Sequence, residues 1–277
     1  MLASLQPTVF YLVTGVGQRL CVYHQARGPH ARTGVLFIHP FAEEMNKSRR
    51  MANLQARALA ELGYSVLQID LFGCGDSSGD FGDATPKSWS EDIAAAWDWL
   101  EAQSHKSIIL WGLRLGATLV LDFAHSQNRW PERFLLWQPV LNGETFMSQV
   151  LRLRVASEII DGGNTGGVRK LREILQKGEA IEVAGYKLNP ELALYVDMLR
   201  LSRIIPKHSK VNWIELVGDA SQSISPATTQ AMDAWREAGV DFEFDSAVGP
   251  SFWATQEITD CPSLIEKTTS RFASVIN

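Results

Sequence analysis

The sequence predicts an α/β fold built on a mostly parallel, doubly wound sheet. Apolar runs of strand length alternate along the chain with amphipathic stretches of helix length, which is typical of successive βαβ units. The run at 34–39 is apolar up to its final histidine, as expected for a central strand that is covered on both faces. With 277 residues and 45% hydrophobic composition, the chain is long enough to bury a large core.

The individual elements follow in order along this pattern. An antiparallel edge hairpin is predicted from 10–14 and 19–25, which flank the glycine turn at 15–18. Further strands are predicted at 65–70, 108–111, 134–138, 211–217 and 242–244. Helices are predicted at 48–62 with Gly63 as the C-terminal cap, from Ser90 as an N-cap, beyond Arg114, and at 227–238.

Residues 141–206 depart from this alternation. They read as arginine-bearing helical stretches interrupted by the glycine-rich segment 161–167. An insertion of this kind suits a helical cap over the carboxyl edge of the sheet, and a plain structural insertion is the alternative. We therefore expect a core made of 1–140 plus 207–277 and a helical cap at 141–206.

The turn after the predicted strand 108–111 carries the strongest functional signal. Gly112-Leu-Arg-Leu-Gly116 has the frame of the nucleophile elbow G-x-S-x-G, but Arg114 stands where the serine belongs. A guanidinium remains protonated and only donates hydrogen bonds, so it cannot attack a carbonyl carbon. The sequence therefore predicts the α/β-hydrolase fold without its usual nucleophile.

The other two members of a Ser-His-Asp triad are also missing from the loops that should carry them. Asp219 comes slightly early for the acid, and Ser251 stands where the histidine is expected. No histidine follows His208 in the sequence. We therefore predict that the whole triad is lost.

Polar residues at the carboxyl ends of the strands are the candidate site. His39, Glu43 and Glu44 are candidates for general acid–base catalysis, with scaffold hydrogen bonding or charge neutralisation as the alternative roles. Arg114 needs an anionic partner because a cation at a helix N-terminus is disfavoured. That partner is either Glu43, Glu44 or Asp219, or the anionic group of a ligand. The expected ligand-binding residues are Phe41, Asn46, Arg114, Leu115, Asp219, Ser251 and Trp253.

Other catalytic chemistries have weaker support. Ser77 and Cys74 lie in the glycine-rich segment 70–79 as alternative nucleophiles, but no base is evident near them in the sequence. The same glycines lack the spacing of a dinucleotide fingerprint, so we expect no cofactor. We also expect no metal site, since no metal-ligand spacing appears, and the three distant cysteines predict free thiols.

Charge and hydropathy narrow the range of partners. The net charge of −5, with lysines and arginines scattered, argues against a nucleic-acid partner. The first residues lack a signal-peptide pattern, and no run of about 18 uncharged apolar residues is present to span a membrane. We expect a cytoplasmic protein that binds a small-molecule or glycan ligand, and we leave a homodimer open.

Four segments resemble the exosortase A system-associated hydrolases of the second type, within the α/β-hydrolase superfamily. These are 39–51, Gly112–Gly116, Glu182-Val-Ala-Gly-Tyr186 and Gly249-Pro-Ser-Phe-Trp253, of which 39–51 is the most specific. The resemblance covers nearly the whole chain. It implies a bacterial cytoplasmic protein encoded near exopolysaccharide and PEP-CTERM protein-sorting machinery, and it implies no particular substrate.

Two functional hypotheses result. The first is a triad-less pseudoenzyme that binds an anionic small molecule or glycan in a capped cleft through Arg114, Glu43, Glu44 and Asn46. The second is an active hydrolase or acyltransferase with an unusual catalytic constellation around His39, Glu43 and Glu44.

Overall fold

The computed structural model describes residues 6–26, 33–160, 166–219 and 221–273. The strands of its main sheet are β1 Thr8–Val13, β2 Gln18–His24, β3 Thr33–Ile38, β4 Ser65–Ile69, β5 Ser107–Leu113, β6 Arg133–Trp137, β9 Lys210–Val217 and β10 Phe242–Val248. A separate hairpin consists of β7 Ile181–Val183 and β8 Tyr186–Leu188. The helices are α1 Glu43–Glu61, α2 Pro86–Ala102, α3 Leu115–Ser126, α4 Gly143–Ile160, α5 Gly167–Gln176, α6 Pro190–Met198, α7 Pro226–Glu237 and α8 Pro262–Ala273.

The eight-stranded sheet confirms the predicted fold class. Its strand order is β1-β2-β4-β3-β5-β6-β9-β10. The strands from β4 to β10 pair in parallel, whereas β1 and β2 add an antiparallel hairpin at one edge. Since the parallel strands point the same way, the loops that follow them meet at one edge of the sheet.

Each face of the sheet buries its own hydrophobic core. Helices α1 and α8 cover one face, where Trp111 and Trp137 pack edge to face with ring centroids 4.8 Å apart. Helices α2, α3 and α7 cover the other face, where Trp213 packs against Trp235. The three cysteines are free and buried, as predicted. Within the described ranges, no helix is both long and apolar enough to span a bilayer.

Two predicted helix starts were wrong. Helix α1 begins at Glu43 and not near Ser48, because Ala42 adopts a positive φ of 48° that starts the helix directly behind the loop. Helix α2 begins at Pro86, and its N-cap is Thr85 in a capping box with Ser88, so the proposed cap Ser90 lies inside the helix. The β7–β8 hairpin and helix α8 were not predicted at all.

The segment between β6 and β9, called the inserted segment here, contains α4, α5, α6, the β7–β8 hairpin and a short 3₁₀ helix at Leu201–Arg203. Its two ends are joined to each other by a bridge between Asn142 and Arg200 and by a hydrogen bond from Gly143 N to Leu199 O (2.9 Å). Most of the glycine-rich segment 161–167 lies outside the described residues.

The hairpin at the sheet edge is tied to the core by a buried ion pair. Arg19 and Asp92 have side chains only 2% and 1% exposed, and their Nε and Oδ1 atoms are 2.7 Å apart. The second oxygen of Asp92 accepts from Phe72 N at 2.6 Å. Because both buried charges are hydrogen-bonded, this pair holds β2, α2 and the loop after β4 in one arrangement.

The turn between β5 and α3 has no space for side chains at its two glycines, because Gly116 packs against the end of β3 and Gly112 packs against the first turn of α3. A Cβ on Gly116 would lie 2.3 Å from Ile38 O, and one on Gly112 would lie 2.4 Å from Ala117 Cα. Both neighbours are backbone atoms, which cannot move without displacing a strand or a helix. The spacing of these glycines is therefore explained by the close contact of the turn with the sheet.

We predict that Gly116→Ala destabilises the protein by about 1–3 kcal/mol, because the added methyl group overlaps backbone of the central strand. Thermal or urea unfolding measures the change. Gly15→Ala is the matched control, since a Cβ at Gly15 meets nothing within 4 Å. Equal stabilities for the two variants would contradict the packing described for the turn.

Candidate active site

Arg114 occupies the sharp turn where the fold presents a nucleophile. Its φ of 55° and ψ of −120° place a non-glycine residue in a strained conformation immediately before helix α3. Backbone hydrogen bonds hold this conformation: Arg114 N donates to Trp137 O (2.9 Å), and Arg114 O accepts from Val140 N (3.2 Å). The elbow geometry predicted from the glycines is therefore present, with a guanidinium in place of the serine hydroxyl.

A cavity of about 310 Å³ lies between the elbow and the inserted segment. Most of its walls are apolar and aromatic. The rings come from the loop after β3, the loop after β4, the inserted segment and the loop after β10, namely Phe41, Phe81, Phe146, Tyr186 and Trp253. Glu43, Glu44, Arg114 and Gln149 are its charged or amide-bearing residues. The cavity thus combines an apolar body with a small polar region, the usual composition of a small-molecule site.

Arg114 forms an ion pair with an acidic side chain, as expected for a cation at the N-terminus of a helix. Its Nε donates to Glu44 Oε1 at 3.3 Å, and both side chains are 17% exposed. Of the three acidic partners considered from the sequence, the structure selects Glu44. The guanidinium also lies 5.2 Å from the ring centre of Trp253 and 5.8 Å from that of Phe146, within the range of cation–π attraction.

Glu44 is a buried carboxylate that is only partly satisfied. Burial raises its pKa above the usual range, while the charge of Arg114 and its hydrogen bond act in the opposite direction. Among the described residues, its second oxygen, Oε2, is buried and lacks a hydrogen-bond partner. A carboxyl group whose pKa is raised and whose second oxygen is unpaired can exchange a proton. It can also give up its ion pair, so that Arg114 binds another anion instead.

The loop after β3 brings Glu44 to this position through a second strained residue. Ala42 has φ 48° and ψ −124°, close to the values of Arg114, and it is the N-cap of α1. The turn leaves Phe41 buried in the cavity wall and puts Glu43 and Glu44 in the first turn of the helix. Carboxylates are favoured at that end of a helix because of its partial positive charge.

His39 is held by backbone on both ring nitrogens. Its Nδ1 donates to Pro40 O at 2.7 Å, and its Nε2 accepts from Leu71 N at 3.2 Å. This arrangement requires the neutral ring, and burial lowers the pKa of His39, which keeps it neutral. Its observed contacts join the loops after β3 and β4.

The other residues predicted for the site differ in their burial and in their contacts. Leu115 is buried as the first residue of α3, and Trp253 is buried in the cavity wall. Asp219 and Ser251 are exposed, and the Asp219 carboxylate accepts hydrogen bonds from its neighbour Ser221, which lower its pKa. Asn46 is exposed and donates to Tyr186 Oη at 3.4 Å.

The two alternative nucleophiles already have structural roles. Ser77 Oγ donates to Asp70 O at 2.6 Å and accepts from Leu20 N at 2.9 Å. Cys74 is buried, and burial raises its pKa, so its thiol stays protonated. Within the described part of the chain, no group of three or more His, Cys, Asp or Glu side chains is placed to hold a metal ion.

Three of the five aromatic residues in the cavity wall were not predicted from the sequence. Phe81, Phe146 and Tyr186 reach the site from separate loops and helices, and their rings contact one another through Phe41 or directly. Only Tyr186 has a local signal, because the positive φ values of Ala184 and Gly185 form the two-residue turn before it. Nothing near Phe81 or Phe146 in the sequence indicates a ligand site.

Sequence comparison finds similarity to one family and to one curated relative. Residues 29–179, more than half of the chain, match the Hydrolase_4 family, described as serine aminopeptidase S33. A 77-residue stretch is 34% identical to an uncharacterized 31.7 kDa protein of the traX-finO intergenic region of Escherichia coli. That stretch covers 27% of this chain and 27% of the relative, so the similarity spans about a quarter of either protein.

Solved structures show the same fold at low sequence identity. The carboxyl esterase of Bacillus coagulans, in complex with glycerol, has a TM-score of 0.66 and 14% identity over 99% of this chain and 98% of the esterase. Est1E of Butyrivibrio proteoclasticus, with ferulic acid bound, has a TM-score of 0.62 and 14% identity over 96% and 97%. By its sequence match, and in agreement with its fold, the chain belongs to the Hydrolase_4 family of α/β hydrolases.

Proposed function

We propose that this protein is a pseudoenzyme of the α/β-hydrolase fold that binds a small carboxylate with an apolar body. The observation that carries the proposal is the guanidinium of Arg114, which stands at the elbow position on the wall of an apolar cavity. A side chain that only donates hydrogen bonds favours a bound anion at the place where the fold otherwise supports nucleophilic attack.

The donors around Arg114 suit a carboxylate. A guanidinium has five N–H groups, and among the described residues only its Nε has an acceptor, Glu44 Oε1. The amide of Leu115 follows the elbow residue and is the counterpart of an oxyanion-hole donor. An incoming carboxylate can take the remaining N–H groups of Arg114 while Glu44 stays in place or becomes protonated.

The cavity favours a small acid over a glycan chain. Its volume of about 310 Å³ is at the small end of the range of about 300–1,000 Å³ that is typical of ligand sites, which suits a compact acid with a single ring or a short chain. The five aromatic rings around it suit a flat or aliphatic body and offer few hydrogen bonds for sugar hydroxyls. Ferulic acid, which is bound to Est1E, is an aromatic carboxylic acid and is a suitable probe.

Residues 141–206 serve as the cap in this proposal, over a core made of 1–140 and 207–277. Phe146, Val150 and Tyr186 of that segment line the cavity. Several hydrogen bonds attach it to the core; for example, Asn189 Nδ2 donates to Gly82 O at 3.0 Å, and Tyr195 Oη donates to Asp122 Oδ2 at 2.5 Å. The cap thereby shields the Arg114–Glu44 pair from water.

We predict that ferulate binds and stabilises the wild-type protein, whereas methyl ferulate, which lacks the charge, binds at least tenfold more weakly. Arg114→Ala removes charge-assisted hydrogen bonds of about 1.5–3 kcal/mol in total and weakens ferulate binding by at least tenfold. Glu44→Gln removes the competing carboxylate and tightens it severalfold. Titration calorimetry and thermal shift measure each affinity.

The control for these variants is Arg50→Ala, on the same loop–helix unit as Glu44. Arg50 is 59% exposed, pairs with Asp260 and does not line the cavity, so ferulate affinity should not change. The proposal is rejected if Arg114→Ala binds ferulate as tightly as the wild type. A test panel of short aliphatic carboxylates extends the measurement to other apolar bodies.

A second function is favoured by the state of Glu44. The pKa of its carboxyl group is raised, and its second oxygen has no hydrogen-bond partner among the described residues. An active hydrolase or acyltransferase would use Glu44 as a general acid or base, with Glu43 beside it and His39 positioning the two loops. The side chain of Glu43 lines the cavity and is 44% exposed, and its Oε1 lies 3.9 Å from Lys47 Nζ. In this hypothesis Arg114 stabilises the oxyanion that develops on the substrate.

Turnover of methyl ferulate and of activated esters distinguishes the two functions. We predict no turnover above the uncatalysed rate, because no nucleophile occupies the elbow. The active-enzyme hypothesis instead requires turnover that Glu44→Gln abolishes and that Ser77→Ala preserves. Glu44→Gln therefore distinguishes the two hypotheses. Ferulate binding becomes tighter if the protein is a binding pseudoenzyme, and product formation is lost if it is an active enzyme.

We also propose that the protein acts in the bacterial cytoplasm beside the exosortase A and exopolysaccharide machinery. In support, the segment 39–51, the most specific part of the resemblance, contributes Phe41, Glu43 and Glu44 to the cavity. We predict that a disrupted gene impairs exopolysaccharide export or the sorting of a tagged PEP-CTERM protein, and that the Arg114→Ala gene does not restore it. Normal export and sorting in the disrupted strain would refute the association.

A further inference from the structure

The two edges of the main sheet differ sharply in charge. At the β10 edge, Glu243 pairs with Lys210 at 2.6 Å, and Asp245 pairs with Lys267 at 2.9 Å and with Arg271 at 3.1 Å. Charged side chains of this kind are how edge strands avoid pairing with other chains. This edge is therefore well protected against strand addition.

The β1 edge has no such protection. Residues 8–18 contain no charged side chain and no proline. Val9, Tyr11 and Val13 alternate along β1 on one face of the sheet and are 61%, 48% and 79% exposed. Val16, in the adjoining turn, is 64% exposed. An uncharged, apolar edge strand is the kind of surface that pairs with another strand.

The backbone of β1 is also in phase for such pairing. Thr14 N donates to Gly17 O, toward β2, and the hydrogen-bonding direction alternates along a strand. The N–H and C=O groups of Val9, Tyr11 and Val13 therefore point away from β2, toward the open edge. Among the described residues, no other strand pairs with these outward-pointing groups, which belong to the same residues whose side chains form the exposed apolar row.

We propose that β1 pairs antiparallel with β1 of a second copy of this chain, so that two sheets join into one across a two-fold axis. Antiparallel self-pairing that keeps the exposed rows on one side places Tyr11 opposite itself and Val9 opposite Val13 of the second copy. This register joins outward-pointing backbone groups only, and each apolar side chain meets another apolar side chain. The strand is thus complementary to itself.

The hairpin is held rigidly enough to present this edge. Arg19, on β2, is fixed by its buried pair with Asp92, and Ser78 Oγ accepts from Gln18 N at 3.0 Å. On the opposite face, Phe10 of β1 stacks on Trp99 of α2 with ring centroids 4.7 Å apart. Since one face of β1 is fixed to the core, the strand does not have to be ordered anew when the second copy binds.

The test uses charge reversal at the axis. We expect the wild-type protein to be a dimer in analytical ultracentrifugation and Tyr11→Lys and Tyr11→Glu each to be monomers, because like charges then stand opposite each other. An equimolar mixture of the two variants should dimerise again, since Lys and Glu then face each other across the axis. Val248→Lys, at the β10 edge and 46% exposed in the wild type, is the control and should remain dimeric.

Circular dichroism and the unfolding temperature of the monomeric variants verify that the fold is kept, and Val13→Lys provides a second monomeric variant if one of the others fails to fold. A wild-type protein that is monomeric at every concentration would overturn the proposal. The β1 edge would then be covered by other residues of the chain or by another protein. Dimeric Tyr11→Lys, or a mixture that stays monomeric, would equally overturn the predicted register.

Discussion

The close contact between the β5–α3 turn and β3 is the constraint on which the site depends. Gly116 lies against the backbone of Ile38 and His39, where a single Cβ would come within 2.5 Å of a carbonyl oxygen. The contact fixes the backbone of Arg114 in a conformation that a non-glycine residue rarely adopts, and it places the loop after β3 beside the guanidinium. The ion pair between Arg114 and Glu44 therefore depends on the fold, since the two residues are seventy positions apart in the chain.

Arg114 puts a cation where the glycine frame predicts a serine, and the turn has the strained backbone of an elbow. The fold gathers amide donors and a helix N-terminus at this point, and Arg114 adds a full positive charge to them. Glu44 supplies the opposite charge, but burial raises the pKa of its carboxyl group, and its second oxygen has no hydrogen-bond partner among the described residues.

The sequence predicted the parts of the molecule that depend on local patterns. Apolar runs identified the sheet strands, and paired glycines identified the elbow. The loss of the whole triad, inferred from the residues of two short loops, stays a prediction. The start of α1 was missed because Ala42 carries no sign of its positive φ, and this moved Glu43 and Glu44 from a presumed loop into a helix. Phe81, Phe146 and Tyr186 were missed because only the tertiary fold brings three distant segments to one cavity. For the same reason the partner of Arg114 could be narrowed to three acids but not to one.

The inserted segment begins and ends at neighbouring residues, joined by the Asn142–Arg200 bridge and the Gly143–Leu199 hydrogen bond. For the sheet, the segment is a loop that is closed at its base, so the chain entropy of joining β6 to β9 depends little on what lies between. Sequence changes within it can reshape the cavity wall while the strands and the elbow remain as they are. Phe146 and Tyr186 are thus the aromatic parts of the cavity wall that can change with this segment, whereas Phe41, Phe81 and Trp253 belong to the loops of the sheet.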